Sequence, residues 1–328
     1  MNTSRGCAIR GWGTALPDQV ATNGDMARLF ETTDEWIIER SGIRERRLAT
    51  GPLVVEQPPP HPPNGLGTTA NLAIEAGRES LRHAGLQPAD IQLVIVCTMT
   101  PDQIIPATSA PVSAKLGIQG GAMDVNAACA GFTYGLVTAA GMIANGVDRV
   151  LLIGADTMSR AVNWDDRTNA FLFGDGAGAV VLEAVPGRGS LLGWDLGVDG
   201  TLAEILYADH GSGMVMKGSE VFRRAVLATA ESAKLSLERA KVEPEDIALF
   251  VPHQANLRIM HAVAQRLAIP DERVSSVIDT TGNTSSASIP LALCASAEQG
   301  RLHDGDLVLF AGFGAGMTWA TAVWRWGC

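Results

Sequence analysis

Ala84-Gly85-Leu86-Gln87-Pro88-Ala89-Asp90-Ile91-Gln92-Leu93-Val94-Ile95-Val96 is answered 156 residues later by Ala240-Lys241-Val242-Glu243-Pro244-Glu245-Asp246-Ile247-Ala248-Leu249-Phe250-Val251-Pro252. Both stretches read as a helix end, a proline turn, Asp-Ile and then a buried strand. Each also follows an amphipathic helical pattern, over 70–83 in one case and 226–239 in the other. A repeat at about half the chain length predicts two similar α/β halves related by an internal pseudo-twofold. We expect the first half over residues 1–185 and the second over 186–328. Residues 6–15, 149–154 and 178–182 add strands, the last two of the continuous apolar kind found in sheets covered on both faces.

The bulk properties agree with a large packed protein. Hydrophobic residues make up 46% of the 328 and charged ones 18%, a balance that excludes extensive disorder. The five cysteines, Cys7, Cys97, Cys129, Cys294 and Cys328, form no C-x-x-C pair, so we expect a reducing, cytoplasmic setting and no structural metal. Neither a signal-peptide core nor a run of about 18 apolar residues occurs, so no membrane association is expected. The formal net charge of −10 argues against a nucleic-acid partner. The same charge requires any anionic ligand to be met by a local cluster of arginines.

Chemistry concentrates at a few places. Ala127-Ala128-Cys129-Ala130-Gly131-Phe132 places one cysteine among small residues, and Phe132, Leu136, Val137, Ala140 and Ile143 then recur at helical spacing. Cys129 is thereby placed at the mouth of a buried helix, where unpaired N–H groups and the helix dipole favour thiolate. His253 ends the strand 249–252 just before another helix, at the sheet edge where open α/β proteins bind ligands. Asn283 falls in the turn Thr280-Thr281-Gly282-Asn283-Thr284 before a helix over 287–298. Phe173-Gly174-Asp175-Gly176-Ala177-Gly178 imitates a nucleotide loop but runs into a strand, so a tight strand start is the expected role. Gly312-Phe313-Gly314-Ala315-Gly316 supplies a small-residue turn whose N–H groups can line a site. Trp36 lies on a short helix whose start Thr33 or Asp34 can cap. Residues 51–65, with five prolines between 58 and 63, are expected to form a semi-rigid surface loop.

Taken together, the cysteine, histidine, asparagine and glycine motifs, with Thr33-Asp34-Glu35-Trp36-Ile37 and Arg40-Ser41-Gly42-Ile43-Arg44, resemble the β-ketoacyl-acyl carrier protein synthase III family. The resemblance runs in order along nearly the whole chain. It implies a five-layered α-β-α-β-α thiolase-like fold, and an enzyme that moves an acyl group from coenzyme A to Cys129 and condenses it with malonyl-acyl carrier protein, releasing carbon dioxide. By the same resemblance His253 and Asn283 donate to the malonyl thioester oxygen, and the N–H groups of Cys129 and Ala315 form the oxyanion hole for the adduct on the cysteine. Trp36 and Arg167 would meet the coenzyme A adenine, with Arg40, Phe222 and Asn256 along its path. Arg223, Arg258 and Arg266 would face the carrier protein. No cofactor is implied beyond acyl-CoA as substrate, and a homodimer is.

Three positions depart from the family pattern: Ser219 replaces a common asparagine, Ala315 a glycine, and Ile105 a phenylalanine that closes a neighbour's acyl pocket. A smaller gate at Ile105 would admit a longer or branched acyl group. Other readings carry less of the sequence. An acyltransferase of the same fold would move the acyl group to an alcohol or amine without decarboxylation. A papain-type protease shares the Cys, His, Asn order but not the local signature. A catalytically silent scaffold would not keep all three residues.

Overall fold

In the computed structural model, which describes residues 5–53, 67–209 and 212–327, the two matched stretches make the same turn. Each preceding helix ends on a left-handed residue, Gly85 (φ +67°) in one half and Lys241 (φ +61°) in the other. These close onto the carbonyls of Arg82 and Glu238 respectively. The aspartates then repeat one bond: Asp90 accepts from the Gln87 N–H at 2.8 Å, and Asp246 from the Glu243 N–H at 2.9 Å.

The first half contains strands β1 (Arg5–Ala15), β2 (Val20–Thr22) and β3 (Glu45–Arg47), with helices α1 (Asn23–Leu29) and α2 (Asp34–Ser41) between the last two. It continues as α3 (Thr69–Ala84), β4 (Leu93–Cys97), α4 (Ser109–Leu116), β5 (Gly121–Val125), α5 (Gly131–Ala144), β6 (Arg149–Thr157) and β7 (Asp175–Pro186). The second half runs β8 (Leu191–Val198), the short pair β9 (Leu206–Tyr207) and β10 (Val215–Met216), α6 (Gly218–Ala240), β11 (Ile247–Pro252) and α7 (Leu257–Arg266). It ends with α8 (Ile278–Thr281), α9 (Ser288–Glu298), β12 (Leu307–Gly314) and β13 (Thr318–Arg325).

Two sheets carry the architecture, in the orders β1-β7-β6-β4-β5 and β8-β13-β12-β11. The inner pairs β4/β6 and β11/β12 are parallel, and the other shared pairs are antiparallel in both sheets. Among the described residues of these sheets β5 alone lacks a full counterpart, its place in the second sheet being held by a single bridge from Val274 to Phe250. Helices α5 and α9 pack between the sheets, while α3 and α4 cover one outer face and α6, with α7 beside it, the other. This is the five-layered arrangement expected.

The repetition extends to atomic packing. A Cβ on Gly11 of β1 would lie 2.4 Å from the Ser80 carbonyl oxygen of α3, and one on Gly193 of β8 would lie 2.3 Å from that of Ser236 in α6. Each outer helix therefore presses its backbone directly onto the first strand of its half. The boundaries differ from the sequence reading where tertiary packing extends an element. Helix α6 starts at Gly218 rather than 226, and β7 runs over twelve residues. Most of the proline-rich stretch, residues 54–66, lies outside the described residues. Among those described, no helix is long and apolar enough to cross a membrane.

Candidate active site

The carboxyl ends of β4, β5, β11 and β12 lead to a cavity of about 930 Å³, onto whose wall Cys129, His253 and Asn283 all open. Cys129 sits just before α5, as expected, after an Ala128 held at φ +47°. Small residues are needed there because the opposite strand end comes very close. A Cβ on Gly314 would fall 2.6 Å from the Cys129 nitrogen and 2.9 Å from the Ala128 Cβ. Neither the Cys129 nor the Ala315 N–H has a backbone partner among the described residues. The Thr318 hydroxyl lies 3.1 Å from both the Ala127 and the Ala315 carbonyls, tying together the two peptides that flank the pair of free N–H groups.

One expectation is overturned. Burial pushes the Cys129 thiol up to about 12, against the opposing influence of the Ser285 hydroxyl. Desolvation of a thiolate at this buried position outweighs the helix start behind it, so Cys129 rests as a thiol.

His253 is 2% exposed, and burial lowers its imidazole to about 3, so the ring is neutral. Its Nδ1 lies 2.6 Å from the Ser288 Oγ, and Phe313 packs edge-on with centroids 5.3 Å apart. The buried Ser288 hydroxyl has no other acceptor among the described residues, so it donates to Nδ1 and the ring proton resides on Nε2. The imidazole thus offers the cavity a donor. Asn283 offers a second one. Its Oδ1 accepts from the Ser285 N–H at 2.9 Å, which leaves the amide NH₂ for the cavity. The glycine run explains its placement: the Asn283 N–H donates to the Leu172 carbonyl, and the Gly174 N–H donates back to Asn283. A Cβ on Gly174 would meet the Thr281 oxygen at 2.2 Å, so this run is the tight strand start expected of it.

The mouth carries Trp36, Arg40, Arg167, Phe222, Asn256 and Arg258. The Arg40 guanidinium lies 5.5 Å over Trp36 and that of Arg258 lies 5.8 Å over Phe222. Asn256 is already engaged: its Nδ2 donates to the Arg40 carbonyl at 2.8 Å and its Oδ1 caps α7 through the Arg258 N–H at 2.9 Å. Arg167 pairs with the exposed Glu31 at 3.3 Å. Arg223 and Arg266 are exposed and lie off the cavity wall, and Ile105 is 83% exposed. Sequence reasoning missed Glu31, Ser288 and the apolar wall of Met99, Leu206 and Met214. The unassigned serines of 285–288, beside Asn283, were the available signal for Ser288. Among the described residues no group of three or more His, Cys, Asp or Glu is placed to hold a metal ion.

Two tests follow from this geometry. Gly314→Ala places a methyl group against the Cys129 N–H and is expected to slow acylation of Cys129 about 100-fold, the scale of losing one oxyanion donor, as read by intact mass. His253 should also make stability depend on pH. Its folded pKa is depressed, so no cost is incurred above its ordinary 6.5, and each unit below that toward about 3 costs ~1.4 kcal/mol as the unfolded chain takes up the proton. From pH 7 to 5 the wild-type protein should therefore lose about 2 kcal/mol more in urea denaturation than His253→Asn. An equal loss would contradict the buried neutral imidazole.

Comparison with known proteins places this arrangement. Residues 123–200 match the sequence profile of 3-oxoacyl-[acyl-carrier-protein (ACP)] synthase III, and residues 237–326 match its C-terminal profile. A β-ketoacyl-[acyl-carrier-protein] synthase III from Geobacillus kaustophilus is 43% identical over 325 residues, covering 98% of this chain and 99% of that one. The crystal structure of 3-oxoacyl-[acyl-carrier-protein] synthase III from Aquifex aeolicus superposes with a TM-score of 0.91 at 41% identity, over 98% of this chain and all of the other. The priming β-ketosynthase of the R1128 polyketide pathway superposes at 0.89 with 35% identity, over 99% and 97%. The chain belongs to the β-ketoacyl-acyl carrier protein synthase III family.

Proposed function

We propose that this enzyme takes an acyl group from acyl-coenzyme A onto Cys129 and condenses it with malonyl-acyl carrier protein, giving β-ketoacyl-acyl carrier protein at the start of a fatty acid or related polyketide chain. The observation that carries this reading is the convergence of one thiol and two neutral donors, Cys129, His253 and Asn283, on a single cavity with a cationic, aromatic mouth.

In the first half-reaction the Cys129 sulfur attacks the thioester carbonyl. The N–H groups of Cys129 and Ala315 receive the developing oxyanion, and the thiol proton ends on the departing coenzyme A sulfur. Trp36, Arg40, Arg167 and Phe222 hold the coenzyme A at the mouth, and Asn256 keeps α7 and the Arg40 peptide in place beneath it. In the second half-reaction the malonyl group loses carbon dioxide, and the electron pair it leaves behind forms an enolate. The enolate oxygen is stabilised by the His253 Nε2–H and the Asn283 NH₂. Its carbon attacks the Cys129 thioester, forming the new carbon–carbon bond and releasing the cysteine sulfur as a thiolate, which takes a proton from solvent to restore the resting thiol. Neutral donors suit this step because a resting charge on His253 would have to be desolvated, whereas a neutral N–H acts only as negative charge develops. Only an acyl group, carbon dioxide and a proton move, so the reaction calls for no metal or redox cofactor.

The carrier protein, an acidic partner, would be met by Arg223, Arg258 and Arg266. A second copy of the chain would cover the open edge of β5 and the exposed Ile104 and Ile105, carrying Ile105 toward the partner's acyl pocket. The free, buried cysteines Cys7, Cys97, Cys129 and Cys294 suit a cytoplasmic setting.

Carbon dioxide released from labelled malonyl-acyl carrier protein, after Cys129 has been loaded from a panel of acyl-CoAs, tests the reaction. Acyl transfer to an alcohol or amine with no carbon dioxide would refute it. In the same assay Arg223→Glu with Arg266→Glu, both away from the cavity wall, should raise KM for malonyl-acyl carrier protein about tenfold while acyl-CoA loading stays unchanged. Equal losses in both half-reactions would remove those arginines from carrier docking.

A further inference from the structure

The nucleophile's turn has a twin. In the first half Asn126 accepts from the Ala128 N–H at 3.2 Å, Ala128 stands at φ +47°, and Cys129 follows. In the second half Asn283 accepts from the Ser285 N–H at 2.9 Å, Ser285 stands at φ +52°, and Ser286 follows. The sheets fix what lies beneath each turn. Leu93 pairs with Val150 as Leu249 pairs with Val308, and Ile153 with Ala179 as Ala311 with Thr321. The same register sets Asp156 of β6 opposite Gly176 as it sets Gly314 of β12 opposite Thr318.

Asp156 and Gly314 thus occupy equivalent places. Gly314 has no side chain, and the Cys129 N–H above it has no backbone partner among the described residues. Asp156 fills the corresponding space, where its Oδ2 accepts from the Ser286 N–H at 2.9 Å and is also within reach of the Ser286 hydroxyl. Its Oδ1 accepts from the N–H groups of Met99 at 2.9 Å and Thr100 at 3.1 Å, and from the hydroxyls of Thr98 at 2.9 Å and Thr100 at 2.8 Å. The carboxylate is wholly buried. An amide could not replace it, because either orientation would turn an NH₂ toward N–H groups.

We infer that Asp156 is a positioning residue for Asn283: a built-in carboxylate, seated in the second half's copy of the oxyanion site, that locks the Asn283 turn to the Thr98–Thr100 segment carrying Met99 on the cavity wall. This rests on the proposed role of Asn283 at the malonyl thioester. One oxygen holds the group that acts on the malonyl oxygen and the other holds part of the acyl wall, so the two arms can be cut separately.

Ser286→Ala removes a contact from the first arm and Thr100→Val one from the second. Carbon dioxide release from labelled malonyl-acyl carrier protein and acylation of Cys129 by acetyl-, isobutyryl- and hexanoyl-CoA are measured for each. Both half-reactions of the wild-type enzyme test the chemistry itself, and the split between variants tests Asp156. Ser286→Ala is expected to lower kcat for carbon dioxide release about tenfold, with KM for malonyl-acyl carrier protein and the acylation rates held within about twofold. Thr100→Val is expected to change the ranking of the three acyl-CoAs and to leave carbon dioxide release within about twofold. Asp156→Asn should show both effects, and if it does not fold the two single-arm variants carry the test. Equal losses in both half-reactions for either variant, or unchanged carbon dioxide release in a folded Ser286→Ala, would overturn the inference.

Discussion

Two glycines near the ends of the central strands make the rest of this molecule possible. A Cβ on Gly154 of β6 would stand 2.3 Å from the Ser286 carbonyl oxygen, and one on Gly312 of β12 would stand 2.9 Å from the Ala130 Cα. Each half's central strand therefore touches the backbone turn of the other half with no side chain between them. That contact sets the spacing of the two turns, and the turns set Cys129 and Asn283 on one cavity. Any larger residue at either strand position would separate the halves where the chemistry needs them closest.

Duplication followed by divergence accounts for the asymmetry of the site. Both halves keep the same sheet order, outer-helix packing and left-handed residue in the turn. Function is then assigned by what differs: a cysteine in one turn against a serine in the other, and an open glycine against a filling carboxylate. His253 directly follows β11, and its first-half equivalent, Cys97 at the end of β4, is buried between the sheets. One half has thus been opened to a ligand and its equivalent sealed. A sealed half is a rigid backing for the open one, which suits electrostatic catalysis by donors that do not reorganise.

Much of this was legible in the residues. The Pro-x-Asp-Ile repeat specified two halves because the same capping turn and buried strand are encoded by the same few residues at both places. Cys129, His253 and Asn283 stood out because each lies in a motif of small or turn-forming residues where function constrains the backbone. What remained hidden depended on tertiary proximity. Ser288 lies 35 positions from His253, and Asp156 lies far from Asn283, so no local pattern links either pair. The resting state of the Cys129 thiol is hidden from local sequence for the same reason. A helix start can be read from sequence, whereas the degree of desolvation depends on walls contributed from distant segments.

The pair at the mouth has a consequence for what can enter. Arg167 is held toward the opening by the Glu31 carboxylate and carbonyl, and both side chains are largely solvent-exposed, 60% and 95%. Such a pair is worth no more than about 1 kcal/mol, so it yields easily to a better anion. It is nonetheless a competitor already in place. In the proposed function, a thioester without a nucleotide offers Arg167 nothing to exchange for Glu31, whereas coenzyme A brings phosphates beside the adenine that Arg167 meets, with more charge than the carboxylate. On that proposal the doorway distinguishes ligands by how the acyl group is carried, and the cavity behind it distinguishes them by size.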